Sequence, residues 1–158
     1  MPEVNAVAND EDIFKTFADL DRTLGLSELP CADESEFLLP AWYRSVWLTP
    51  LCELSIGDLC RSCEQSIHLR QIVPLAIAAL EREPLAGEWY EGQLISSILA
   101  IPPQFWLENR AVAEVCYRVA RSLPDTDDLE FQENIRLLLE RTAPIRDVIG
   151  VWSLTQPR

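Results

Sequence analysis

Cys60, Cys63 and His68 are the residues whose types and spacing first suggest chemistry in this 158-residue chain. Two thiolates and one imidazole can hold Zn²⁺ with an open fourth position, and a Cys-x-x-Cys pair can act as a redox dithiol. Neither chemistry suits the element that must carry the pair. Residues 55–67 read as one helix, and Cys63 falls two turns in, away from the N-terminal turn where a thiolate is stabilised. There is no second Cys-x-x-Cys, and His68 is the only histidine. With Cys31, Cys52 and Cys116 the thiols number five, an odd count without a disulfide-scaffold spacing. They read as reduced and mostly buried. His68 is expected at the end of that helix, where a positive charge suits the dipole. No GxSxG, Gly-rich phosphate loop or HExxH is present. The chain is expected to be no enzyme and to use no cofactor or metal.

The elements behind these residues are helical throughout. Asn9 or Asp10 can cap a first helix carrying Ile13, Phe17, Leu20 and Leu24 on one stripe, with Gly25 as its stop. Residues 1–8 are expected to be disordered, and residues 26–40 read as an acidic loop around Pro30 and Pro40. Trp42 with Val46, and Tyr43 with Trp47, form i,i+4 pairs of a short aromatic helix before Pro50. Ser55 with Asp58 makes a capping box, flanked by Leu54 and Leu59 at hydrophobic-staple positions. A helix over 70–82 is expected to hold Pro74 in its first turn, where the missing N–H costs nothing. Another over 91–101 buries Leu94, Ile95, Ile98 and Leu99 and ends at Pro102-Pro103. Asn109 can cap a helix with Val112, Val115, Cys116, Val119 and Leu123 on its stripe. Asp127 with Glu130 marks a last one with Phe131, Ile135 and Leu138 inward, up to Thr142. The tail from Pro144 reads as a short helix or a packed extended end. The expectation is all-α: one domain over 1–158, a bundle of six or seven helices.

Composition narrows the partner. The chain is 48% apolar and 25% charged, as globular domains are, and its net charge is −13. Ten of its 26 acidic residues lie in residues 1–39 against only Lys15 and Arg22. Such a surface repels phosphate backbones and anionic membranes and steers a basic protein towards it. No run of about 18 apolar residues exists to span a bilayer. The N-terminus lacks the basic and apolar regions of a signal peptide, so a cytoplasmic location is expected. The aromatic pair Trp89-Tyr90, framed by Glu88 and Glu91 in a turn with two glycines, suits a binding surface for a basic partner. A turn folded back onto the core is the competing reading.

Residues 54–106 carry a further signal in the segments LSIGDL, IVPLAIAALEREPLAG, YEGQLI and IPPQFW. In their order and spacing these resemble the core of immunity proteins from contact-dependent growth inhibition (CDI) systems. The resemblance implies an all-helical cytosolic protein encoded beside a large cell-surface toxin. It would bind and block the toxin's C-terminal domain, often a nuclease and frequently an RNase. Pro74, Pro84, Gly87, Gly92 and Trp106 would then be scaffold. Contacts with the toxin are expected at Asp33, Glu34 and Glu36 in the acidic N-terminal third, and at Glu88, Trp89 and Glu91. The alternative is an antitoxin or adaptor module of another helical family.

Overall fold

The computed structural model describes residues 11–26 and 38–144. The expectations for residues 1–8, for most of the acidic loop and for the tail therefore lie outside the described residues, as do Asp33, Glu34 and Glu36. Within them the chain is all-α, as expected. Eight α-helices follow in order: α1 (Phe17–Thr23), α2 (Leu38–Val46), α3 (Ile56–Glu64), α4 (Leu69–Arg82), α5 (Gln93–Leu99), α6 (Pro103–Glu108), α7 (Arg110–Ser122) and α8 (Leu129–Thr142).

A single 3-10 turn, Leu51–Glu53, joins α2 to α3. The helix beyond the expected count is α6. Pro102-Pro103 does end α5, but Pro103 also opens the next helix, because its fixed φ suits a first helical turn.

The packing core is built from α3, α4, α5, α7 and α8. Helix α4 lies against α3, α5 and α7, while α5 lies against α3 and α8. Ile72, Val73, Ile77 and Leu80 of α4 meet Leu94, Ile95 and Ile98 of α5, all fully or almost fully buried. Trp106 on α6 and Leu138 on α8 join the same cluster. Each of these large side chains contributes about 1.5–3 kcal/mol when removed from water.

Start signals decide several helices. At α3 the capping box forms as expected: Ser55 Oγ accepts from Asp58 N–H, and Asp58 accepts from Ser55 N–H. At α1 the start moves. Thr16 with Asp19 closes a second capping box, and Thr16 also bridges to Pro50, so the helix begins at Phe17 and not near Asp10. The N–H of Leu51 donates to the Lys15 carbonyl and that of Cys52 to Ile13, so backbone pairing replaces the expected first turns. At α8 the cap is Asp128, accepting from Glu130 and Phe131 N–H, one residue beyond the expected Asp127. Asn109 stands at the N-cap of α7 as expected, but its side chain makes no capping bond and donates back to the Phe105 carbonyl. Pro74 lies inside α4, since the helix starts earlier than its first turn required.

Helix α3 ends at Glu64, short of the expected Ile67, as Ser66 turns to a positive φ of 55°. His68 also has a positive φ, 44°, and stands at the N-cap of α4. It therefore begins a helix where the sequence suggested that it ended one, and the dipole argument for its charge reverses.

Candidate binding surface

His68 finds its partner elsewhere. Its Nε2 lies 2.8 Å from Asp21 Oδ1, while the other Asp21 oxygen accepts from Tyr43 Oη and Trp47 Nε1, each at 2.9 Å. Phe17 stacks on both the Tyr43 and the His68 rings. Asp21 is 8% exposed. Burial, with the Asp21 carboxylate it donates to, pushes the Tyr43 hydroxyl above its ordinary range. This cluster ties α1, α2 and the start of α4 together, a structural role with every bond directed inward.

The cysteines are equally inward. Cys60, Cys63 and Cys116 are buried, and burial is the main cause that pushes each thiol up, Cys116 to about 12. A protonated thiol is a poor nucleophile and a poor metal ligand. Among the described residues no group of three His, Cys, Asp or Glu side chains could hold a metal ion.

The turn between α4 and α5 is different. Trp89 is 75% exposed and Tyr90 54%, so the aromatic pair projects from the body and is not folded onto the core. The base of the turn is nonetheless held from below. Gln93, only 7% exposed, points Oε1 up to accept from the N–H groups of Glu88 at 2.8 Å and Trp89 at 2.9 Å. The N–H of Gly92 donates to the Leu85 carbonyl, and that of Leu94 to Ala86. A Cβ at Gly87 would stand 2.0 Å from the Tyr90 carbonyl oxygen, so only glycine lets the chain fold back so closely. Gly92 supplies the positive φ of 81° that starts α5.

The two acids that frame the pair are placed unlike one another. Glu91 is exposed. Glu88 leans onto α3: its carboxylate occupies the space above Gly57, where a Cβ would come within 2.2 Å, and lies 3.7 Å from Arg61. Arg61 in turn sits over the Trp42 ring, and Trp42 Nε1 donates to Asp58 Oδ1 of the α3 capping box. The turn is thereby coupled to α2 and α3. Glu88 is a tether as well as a surface charge, a role that its spacing alone did not reveal. The sequence also gave no sign of α8 as a neighbour. A hollow of about 30 Å³ opens beside the turn, lined by Tyr90, Glu91, Gly92 and Ser96 on one side and by Asp128, Glu130, Phe131 and Asn134 on the other.

No described helix is long and apolar enough to cross a membrane. Comparison with known families finds a match to the family described as CDI immunity proteins over residues 24–115. That span is more than half the chain. It runs beyond the 54–106 block at both ends and takes in α2 to α6, the first six residues of α7 and the exposed turn. No curated protein matches the chain.

Proposed function

Because the chain belongs to the CDI immunity protein family, whose members bind and neutralise a cognate toxin, we propose that it acts as a stoichiometric inhibitor of a basic, nucleic-acid-cleaving toxin domain. The observation that carries this reading is the exposed Trp89-Tyr90 pair on a turn pinned from beneath by Gln93. Large aromatics on a preorganised support are the usual anchors of protein interfaces, because little ordering is lost when they dock. The net charge of −13 supports a basic partner. A nuclease gathers positive charge around its active site, and an acidic inhibitor reaches such a site quickly and covers the ground where phosphates bind.

Inhibition by occupancy asks no catalysis of this chain, and the inward cysteines and His68 agree with that. The protein works in the cytoplasm, where an incoming toxin domain must be met. Trp89 and Glu91 stand as contact residues, Glu88 as contact and tether, and Asp33, Glu34 and Glu36 as further acidic contacts. The match gives no ground for an antitoxin or adaptor of another family.

Co-expression with the toxin domain encoded beside this chain tests the reading. The expected result is surviving cells and a one-to-one complex on purification. Cell death, or a toxin that elutes alone, overturns it. A Cys60→Ser/Cys63→Ser variant should protect as fully as the unsubstituted chain, and loss of protection with the fold intact would point to chemistry at those thiols.

A further inference from the structure

Building on that function, we infer that Arg61 is a positioning residue for toxin binding: it fixes the Trp89-Tyr90 turn through the Glu88 side chain and does not meet the toxin itself. Arg61 follows Gly57 on α3 by four residues, about one turn along the same face. The Glu88 carboxylate fills the space above Gly57 and lies 3.7 Å from Arg61 Nη2. The same guanidinium lies over the Trp42 ring, 5.7 Å from its centre. Among the described residues Arg61 pairs with no other acid.

Each part behind the guanidinium is anchored. Trp42 is 8% exposed, and its indole N–H donates to Asp58 Oδ1 at 2.8 Å. The other Asp58 oxygen is held by the N–H and hydroxyl of Ser55 in the α3 capping box. The Arg61 and Glu88 side chains are 35% and 46% exposed, so the ion pair alone is weak, and the indole gives it a fixed direction. A planar guanidinium can lie on an indole while its edge meets a carboxylate, which a compact ammonium does poorly. Glu88 adjoins Trp89 in the chain, and Gln93 accepts from the N–H groups of both. Gln93 thus holds the backbone of the turn, and Arg61 holds the side chain that leads into its aromatic tip.

The sign of the effect separates positioning from charge. The chain is acidic and its proposed partner basic, so the positive charge of Arg61 opposes their approach. If Arg61 acted through its charge alone, removing it would strengthen the complex. Removing a positioning residue weakens it.

The test measures association and dissociation of the toxin domain encoded beside this chain with the unsubstituted protein, Arg61→Met, Glu88→Gln and the double variant. Methionine keeps the aliphatic stem, and circular dichroism checks the fold. Arg61→Met should dissociate about threefold to tenfold faster, with association no slower. In the Glu88→Gln background the same change should add nothing to dissociation. In the free protein, the heteronuclear NOE of the Trp89 indole N–H, assigned by Trp89→Phe, should fall in Arg61→Met and in Glu88→Gln as the tip gains freedom.

Unchanged or slower dissociation of Arg61→Met, an equal loss in the Glu88→Gln background, or an unmoved Trp89 signal overturns the positioning role and leaves the immunity function standing. Absence of any complex with the unsubstituted protein overturns both.

Discussion

Asp21 and His68, 47 residues apart, meet at 2.8 Å and join the first helix to the start of the fourth. The pair is nearly buried, and the same carboxylate also receives Tyr43 and Trp47. Removing the carboxylate leaves three partly buried groups, the Tyr43 hydroxyl, the Trp47 indole N–H and the His68 ring, without that partner. Asp21→Ala should therefore lower the stability of the domain by about 3–5 kcal/mol, read from the midpoint of urea unfolding. An unmoved midpoint would show that the cluster contributes nothing.

Stability should also fall in alkali. The Tyr43 hydroxyl and the Cys60, Cys63 and Cys116 thiols all have folded-state pKa values raised by burial. Their stabilising contribution is complete below the unfolded values, ordinarily about 9 for the thiols and 10 for the tyrosine, and disappears as pH rises from there towards the folded values. Unfolding free energy measured from pH 8 to 11 should decline, and Tyr43→Phe should flatten the upper part of that decline. A flat profile in the unsubstituted protein would contradict the assigned burial.

Thiol chemistry separates inside from outside. In a Cys31→Ser background, Ellman's reagent should modify one thiol per native chain, the exposed Cys52. Cys60, Cys63 and Cys116 should react only once the chain is denatured. Rapid native reaction of two or more would mean that α3 or α7 opens readily.

Trp89→Ala should weaken the toxin complex by about 2 kcal/mol or more while leaving unfolding unchanged, since the indole is mostly in solvent. Gln93→Ala touches no partner but frees the N–H groups of Glu88 and Trp89. It should cost about 1–2 kcal/mol of stability and also weaken binding, through a turn that must now be ordered on docking. Calorimetry of both variants checks the pair, and a Gln93→Ala protein with full affinity would show that the turn holds itself.

Charge governs the approach more than the grip. Raising salt from low to high concentration should slow association with the toxin much more than it speeds dissociation. A stopped-flow association rate that ignores salt would remove electrostatic steering from the account.

Local signals in the sequence were legible wherever one turn of chain contained both partners. Ser55 with Asp58 declared α3, and Phe131 with Leu138 declared the inner face of α8. Thr16 with Asp19 carried the same code for α1 but was outweighed by the acids at 10–12. Pairings across distance were not legible. Nothing in the spacing joins Asp21 to His68, Glu88 to Gly57, or Tyr90 to Glu130, because each depends on how helices pack. The left-handed φ of His68 was hidden for the same reason: a non-glycine residue takes it only when its surroundings compel it. Of the expected contacts, Trp89 and Glu91 are exposed, Glu88 is shared with Arg61, and Asp33, Glu34 and Glu36 lie outside the described residues.

The hydrogen atom of Gly57 is all that separates α3 from the Glu88 carboxylate. Any bulkier residue there would evict that carboxylate and loosen the tip above it. The exposed side chains at positions 89, 90 and 91 can thus be exchanged without touching α3, whereas a change at position 57 moves the side chain of Glu88.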